Sequence, residues 1–231
     1  MAIIKATAPG SIMLMGEHAV LFGERAIACA VDKYITVTLT PVESDQISVN
    51  SALGTYQGSL TQLSDCAELS FVVAALRRFA NRLPSGFVMN IEAGFSHTVG
   101  LGSSAAVTAA VVAVLRKVCS LTTAPADIFD DALNVVHSVQ NGRGSGTDLV
   151  ASIYGGLVAY TVSPRQITPL NEGLPPISLF YAGYKTKTPD VLAKVEAYTQ
   201  NHQSLFGGVY RLMGQTTEAA EAAMLKGDWV A

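Results

Sequence analysis

Alternating apolar and polar positions predict β-strands along much of the chain. In "AIACAVDKYITVTLTPV" the apolar residues Ile35, Val37 and Leu39 alternate with more polar ones, and "GFVMNIE" alternates in the same way. An alternation of period two places the apolar side chains on one face of a strand. The other segments with strand character are "IIKATAP", "QISVN", "TYQGSL", "YGGLVAYTV" and "ISLFYAGY".

Apolar residues at helical spacing occur between these strands. In "ELSFVVAALRRFANRL" they recur at the intervals of one helix face. A second helix is predicted over "AAVTAAVVAVL", with Ser103 or Ser104 as its N-cap, because a serine hydroxyl accepts a bond from a free amide. The remaining predicted helices are "APADIFDDALNVVHSVQN", "PDVLAKVEAYTQNH" and "TTEAAEAAMLKG". Strands and helices mix without strict alternation, which predicts an α+β fold.

A proline-rich segment predicts a division of the chain. "VSPRQITPLNEGLPP" carries four prolines, and a boundary near Pro164 separates residues 1–164 from residues 165–231. The second part contains one predicted strand and two or three predicted helices. It is therefore expected to be the beginning of a domain that the chain does not complete.

Composition narrows the class of protein. The chain has 231 residues, of which 49% are hydrophobic and 14% charged, with a formal net charge of -3. No cluster of Lys and Arg provides a nucleic-acid surface. The three cysteines form no CxxC pair, which disfavours a metal or redox motif. The longest apolar run is too short to span a bilayer, and no signal peptide is recognisable, so a cytoplasmic protein with no membrane segment is expected.

Three glycine-rich segments carry the candidate chemistry: "APGSIMLMGEHAVLFG", "GLGSSAA" and "GRGSGTD". In "GLGSSAA" the glycines precede a predicted helix, whose first amides and dipole favour an anion such as a phosphate. The segment is neither a Walker A motif nor GxGxxG, so taken alone it favours a tight turn followed by an N-cap, with a phosphate site as the alternative. Asp148 at the end of "GRGSGTD" is either a turn residue or a base for a substrate hydroxyl.

Taken together and in this order, the three segments are more specific than any one of them. "APGSIMLMGEHAVLFGERAIACAV", "GLGSSAA" and "SGTDLVASIYGG" resemble the motifs of the GHMP kinase superfamily, which includes galactokinase, homoserine kinase, mevalonate kinase and phosphomevalonate kinase. The resemblance implies two α+β halves with ATP between them. The N-terminal half would contain a left-handed βαβ crossover, and the C-terminal half would be ferredoxin-like.

The resemblance also implies the residues of the site. Asp148 matches the catalytic base, and Ser104 would be a ligand of Mg²⁺. The residues expected around the ATP phosphates are Gly100, Leu101, Gly102, Ser103, Ser104 and Ala105. Those expected to hold a small-molecule acceptor are Ser11, Glu17, His18, Gly146 and Thr147. For Glu17 and His18 the residues alone leave another interpretation open, which is a solvated surface pair.

Within the superfamily, "VLFG" and "AIACAV" are most similar to mevalonate kinases. The resemblance therefore implies ATP-dependent phosphorylation of the 5-hydroxyl of mevalonate, in the synthesis of isoprenoid precursors. Phosphomevalonate kinase is the close alternative. A binding protein without turnover is a third possibility, and a homodimer is a further expectation.

Three departures from the mevalonate kinase pattern bear on this assignment. Ser11 stands where a Lys usually follows "APG", and Lys5 or Lys185 are candidates to replace that cation. His137 stands where a Glu usually meets the metal, and phosphomevalonate kinases often have a His in this region. The glycine-rich motif of the C-terminal half is absent, which favours a truncated chain or a protein that only binds.

Overall fold

A mixed β-sheet forms the centre of the molecule, as the alternating segments predict. The computed structural model describes residues 2–170, 177–183, 188–200 and 202–229. The strands are β1 (Ile4–Met15), β2 (Ala26–Pro41), β3 (Gln46–Ser51), β4 (Gly54–Ser59), β5 (Phe87–Ala93), β6 (Leu157–Thr161) and β7 (Gln166–Leu170). The sequence pattern predicted all of them except β7. This α+β architecture confirms the predicted fold class.

The long strand β2 organises the sheet. β1 pairs antiparallel with one edge of β2. On the other edge β2 pairs first with β6 and then with β5, so the strand order is β4-β3-β5-β2-β6-β7. β3 and β5 are parallel, and the chain between them passes through β4 and a helix. Parallel neighbours require such a crossover connection. The left-handedness of this crossover and the ferredoxin-like C-terminal half stay predictions.

Helices cover both faces of the sheet. They are α1 (Ser70–Phe79), α2 (Ser103–Val118), α3 (Pro125–Val139), α4 (Thr147–Tyr154), α5 (Thr188–Thr199) and α6 (Gln203–Met224). The main core lies between the sheet and α1 to α4. Because successive strand residues face opposite sides, Ile27 and Cys29 point away from that core. They form a second cluster with residues of β6 and β7, against which Ala220 and Met224 of α6 pack.

Several predictions about local structure were wrong. "ISLFYAGY" was predicted to be a strand, yet residues 177–183 show no regular structure. The proline-rich segment contains β7, which pairs with β6 in a hairpin. α6 begins at Gln203 rather than at Thr216, and α4 was not predicted at all. Pro164 lies in the turn between β6 and β7. The predicted domain boundary at this residue stays a prediction.

A buried ion-pair cluster joins three of the helices. The carboxylate of Asp131 in α3 pairs with Arg78 of α1 and with Arg116 of α2. The side chains of Asp131 and Arg116 are 12% and 10% exposed. Arg116 also donates to the carbonyl oxygen of Thr122 at 2.6 Å. A charge in such a place depends on its partner, because water cannot replace it.

We expect Asp131→Asn to lower the free energy of unfolding by about 3 kcal/mol, since the buried Arg116 guanidinium then keeps only the more exposed Asp127, 3.8 Å away, as a counter-charge. Asp130→Asn is the matched control, because Asp130 pairs with Arg165 at the surface, where both side chains are about half exposed. That pair should contribute less than about 1 kcal/mol. Urea unfolding of both variants measures the difference, and equal losses would contradict the burial argument.

Candidate active site

An irregularity in β1 brings the first glycine-rich segment against the second. The pairing of β1 with β2 shifts register between Pro9 and Ser11. At this point the amide of Ser11 donates to the carbonyl oxygen of Leu101, at 3.1 Å. A Cβ on Gly10 would lie 2.7 Å from the same oxygen, so only glycine fits there. Two segments about 90 residues apart in sequence are thus joined backbone to backbone.

The amino end of α2 is open in the way that an anion site requires. Gly102 is the N-cap, in the left-handed conformation (φ 60°, ψ 31°), and no side chain caps the helix. The prediction of Ser103 or Ser104 as N-cap was therefore wrong, because Ser103 already lies in the helix. The first helical bond of this turn runs from the amide of Ala106 to the carbonyl of Gly102. The amides before Ala106 therefore have no partner within the helix and point outward with the positive end of its dipole.

Gly102 also leaves the space that Ser11 occupies. A Cβ at Gly102 would overlap the hydroxyl oxygen of Ser11. The left-handed backbone conformation adds a second penalty for any other residue. The turn therefore requires glycine for two independent reasons, one of packing and one of backbone conformation.

Asp148 lies on the other side of Ser11. Gly146 is the left-handed N-cap of α4 (φ 83°), which places Asp148 in the first turn of that helix. The hydroxyl of Ser11 donates to Oδ1 of Asp148 at 2.8 Å. Ser11 therefore contacts both the open end of α2 and the acidic residue of α4. The structure brings together Ser11, Leu101, Gly102 and Asp148, four of the predicted site residues.

Asp148 is exposed to solvent, yet protein atoms surround much of its carboxyl group. Desolvation by the surrounding protein raises the pKa of this carboxyl above its usual range, and the hydrogen bond from Ser11 partly opposes that rise. A raised pKa makes the carboxylate a better proton acceptor, since a base is most effective when its pKa approaches the working pH.

The loop before Asp148 is fixed by hydrogen bonds from outside it. Tyr160 of β6 donates to the carbonyl oxygen of Ser145 at 2.8 Å. Nε2 of His137 lies 3.0 Å from the carbonyl oxygen of Gly144, and because a carbonyl only accepts, this nitrogen carries the proton. Thr147 is buried, and its hydroxyl bonds to that of Ser145 at 2.8 Å. Sequence reasoning missed Tyr160, whose place in a strand gave no sign of a contact with this loop.

Glu17 and His18 lie in the turn after β1. Within the described parts of the chain, neither side chain makes a hydrogen bond or an ion pair. Glu17 is exposed and His18 half-buried. The turn continues into a short 3-10 helix, Ala19–Phe22. Both side chains are therefore available to a ligand, and their role in binding an acceptor stays a prediction.

Ser11 stands where a lysine was expected, and no cation among the described residues affects the pKa of Asp148 in its place. Lys5 is six residues earlier on β1, a distance of roughly 20 Å along an extended strand. Lys185 lies outside the described residues. The positive potential at the site comes instead from the amino ends of α2 and α4, which meet at Ser11.

The site suits Mg²⁺ bound together with phosphates rather than Mg²⁺ bound by protein alone. Among the described residues no group of three or more His, Cys, Asp or Glu side chains could hold a metal. Mg²⁺ usually keeps several waters and takes one or two protein ligands plus substrate phosphates. The exposed Ser104 in the first turn of α2 fits such a role.

Comparison with known proteins identifies the family of this chain. The family described as GHMP kinases N terminal domain matches residues 70–156. A mevalonate kinase of Archaeoglobus fulgidus is 31% identical over 207 residues, covering 89% of this chain and 67% of the relative. A mevalonate kinase of Methanothermobacter thermautotrophicus is 29% identical over 221 residues, covering 96% and 71%.

Solved structures share the fold. The mevalonate kinase of Methanococcus jannaschii aligns with a TM-score of 0.72 at 20% identity, over 94% of this chain and 73% of that one. The phosphomevalonate kinase of Streptococcus pneumoniae aligns with a TM-score of 0.71 at 16% identity, over 97% and 74%. The two scores are nearly equal, so the fold alone does not separate these two activities.

Phosphoryl transfer requires a place for the phosphates and one group that orients the nucleophile, and a glycine turn at an open helix end beside a carboxylate can supply both. The chain belongs to the GHMP kinase family, as its relatives and its matched N-terminal domain show. The resemblance inferred from the three glycine-rich segments is thereby confirmed. In the parts of the chain that the structure describes, no helix has the length and hydropathy needed to cross a membrane.

We expect Asp148→Asn to raise the melting temperature at pH 7. A carboxyl whose pKa is raised by folding destabilises the folded state wherever it is ionised, and the amide carries no charge. The gain should shrink as the pH falls towards 3.8, the ordinary Asp value, because both folded and unfolded wild type are then increasingly protonated. Asp45→Asn, at an exposed position just before β3, is the control for a surface carboxylate. A melting temperature of Asp148→Asn below that of the wild type at pH 7 would contradict the desolvation argument.

Proposed function

We propose that this protein transfers the γ-phosphoryl group of ATP to the 5-hydroxyl of mevalonate. The observation that supports the proposal is the contact of Ser11 with both Gly102 and Asp148, because an anion bound at the open end of α2 would then lie close to a carboxylate that can act as a base. Phosphoryl transfer needs little else than positioning, charge neutralisation and one group to orient the nucleophile. The identity to proteins named mevalonate kinase supports the choice of acceptor.

The amino end of α2 binds the triphosphate in this proposal. The free amides of the first turn and the helix dipole stabilise negative charge there. The residues proposed to line the phosphates are Gly100, Leu101, Gly102, Ser103, Ser104 and Ala105. ATP is the phosphoryl donor in this proposal, and Ser104 would be the protein ligand of the Mg²⁺ that would neutralise the charge of the phosphates.

Asp148 acts as the base. Its carboxylate accepts the proton of the acceptor hydroxyl while that oxygen forms a bond to the γ-phosphorus and the bond to the leaving ADP oxygen breaks. The Ser11 hydroxyl holds Oδ1, which leaves Oδ2 for the proton. The amino ends of α2 and α4 stabilise the charge of the transferred group where a lysine is absent.

The acceptor is held by the turn after β1 and by the loop before α4. Glu17 and His18 have polar side chains that find no partner among the described residues, as a polyol acceptor requires. Gly146 and Thr147 complete this side of the site in the proposal. Phosphomevalonate is the weaker choice of acceptor, because the loop contact of His137 accounts for this residue without a second phosphate. A cytoplasmic location and a homodimer remain part of the proposal.

Asp148→Asn should lower turnover with mevalonate and Mg-ATP by at least about a hundredfold, since a general base contributes roughly 10²–10⁴ to the rate. The assay is ADP release, run in parallel with phosphomevalonate as acceptor. Asp45→Asn is the control and should keep the wild-type rate.

Turnover confined to phosphomevalonate would reassign the acceptor. A variant Asp148→Asn with nearly normal turnover would refute the role of Asp148. If the wild type binds ATP and turns over neither acceptor, the protein is a binding member of the family, and the proposed reaction is wrong.

Gly102→Val should abolish the rise in melting temperature that ATP gives the wild type. Its side chain would overlap Ser11 and block the turn that the phosphates approach. Gly227→Val is the matched control: Gly227 also has a positive φ (70°), and a Cβ there meets no atom within 4 Å. Each variant is compared with its own melting temperature without ATP. An ATP-induced rise in Gly102→Val equal to that of the wild type would place the nucleotide elsewhere.

A further inference from the structure

Helix α6 is attached to the segment just after the Glu17–His18 turn. The guanidinium of Arg25 donates two hydrogen bonds to the carboxylate of Glu221, at 2.7 and 2.6 Å. Its remaining donors reach the hydroxyls of Thr161 in β6 and Thr168 in β7. The side chains of Arg25 and Glu221 are only 10% and 14% exposed. A bidentate pair of this kind fixes orientation as well as distance.

Two further contacts bring α6 onto the last residue of the 3-10 helix, Phe22, and onto Glu24 just after it. The ring of Tyr210 stacks on that of Phe22, with centroids 4.4 Å apart and planes 12° from parallel. One turn further along α6, Gly214 lies so close to Glu24 that a Cβ would overlap its carboxylate. Residues 22, 24 and 25 are thus each held by α6.

The segment that α6 holds begins with a strained residue. His18 has φ 59° and ψ -46°, a region that residues with a Cβ rarely adopt. Such a conformation persists only where surrounding structure imposes it, and it occurs preferentially at functional sites. The turn's own backbone bonds include Val20 to Gly16 at 3.1 Å and Leu21 to His18 at 3.0 Å. The contacts of α6 with residues 22, 24 and 25 add to these bonds from outside the turn.

We propose that α6 is a positioning element for the acceptor: Tyr210, Gly214 and Glu221 hold residues 16–25 so that Glu17 and His18 present their side chains in one fixed geometry. The term acceptor rests on the function proposed above. The contacts of Tyr210 and Gly214 go to this segment rather than to the sheet, where the carboxyl end of α6 packs. A helix from the second half of the chain therefore controls a turn of the first half.

The primary test is Tyr210→Ala, which removes the ring that stacks on Phe22. Amide hydrogen exchange followed by mass spectrometry should show faster exchange in peptides covering residues 16–25, and unchanged exchange over residues 100–106. In steady-state kinetics the KM for mevalonate should rise by about tenfold, with the KM for ATP within about twofold, as loss of acceptor positioning predicts.

Conservative and matched variants separate positioning from a general loss of structure. Tyr210→Phe keeps the ring and removes a hydroxyl that has no hydrogen-bond partner among the described residues, so it should restore wild-type behaviour. Gly214→Leu should reproduce the effects of Tyr210→Ala by displacing α6 from Glu24. Gly208→Leu is its control, because a Cβ at Gly208 meets no atom within 4 Å in the same helix.

The two readouts distinguish failure of this inference from failure of the proposed function. If the wild type does not phosphorylate mevalonate, the kinase proposal fails, and hydrogen exchange alone still decides whether α6 orders residues 16–25. Unchanged exchange in both Tyr210→Ala and Gly214→Leu overturns the inference. Faster exchange with an unchanged KM for mevalonate, in an active enzyme, also overturns it, since the turn would then be ordered without serving the acceptor.

Discussion

The contact between Ser11, Gly102 and Asp148 is the constraint on which the rest of the site depends. Ser11 lies at the irregularity of β1. Its amide donates to the carbonyl oxygen of Leu101, next to the amino end of α2, and its hydroxyl donates to Asp148 in the first turn of α4. These contacts require the register shift in β1, the space left by Gly102, and a left-handed glycine as N-cap of both α2 and α4. Removing any one of these would separate the open end of α2 from Asp148, the proposed anion site from the proposed base, although each lies in a different part of the sequence.

The same arrangement lowers the stability of the folded protein and, in the proposed reaction, makes Asp148 a better proton acceptor. The carboxyl of Asp148 has a raised pKa because protein replaces much of its water, so its ionised form opposes folding. His18 holds an unfavourable backbone conformation at the other end of the site. The extensive core under α1 to α4 and the buried cluster around Asp131 belong to the same sheet-and-helix scaffold and stabilise it. Strained and desolvated residues of this kind are typical of active sites on stable scaffolds.

The sequence was informative where local pattern decides structure, and silent where contacts between distant segments decide it. Period-two alternation gave β2 and β5, and helical spacing gave α1 and α3. α4 was missed because "TDLVASIY" is short, apolar and rich in residues that also suit strands. The N-cap of α2 was assigned to serine, whereas Gly102 takes that position because Ser11 needs its space.

Contacts across the chain carry no local signal. The hydrogen bond from Ser11 to Asp148 spans 137 residues, and the pair Arg25–Glu221 spans 196. The order of the three glycine-rich segments nevertheless indicated the family, because the family's site is built from all three. It did not indicate α6, whose contacts with residues 22–25 leave no motif in either segment.

The measurement that tests the central claim most directly is ³¹P nuclear magnetic resonance of the products formed from mevalonate and Mg-ATP. The site described here predicts one phosphate monoester, on the 5-oxygen of mevalonate, for each ADP. ADP accompanied only by inorganic phosphate would mean that the γ-phosphoryl group is transferred to water and that Asp148 does not face an acceptor. Unchanged ATP would mean that the contact around Ser11 builds a site for binding without transfer.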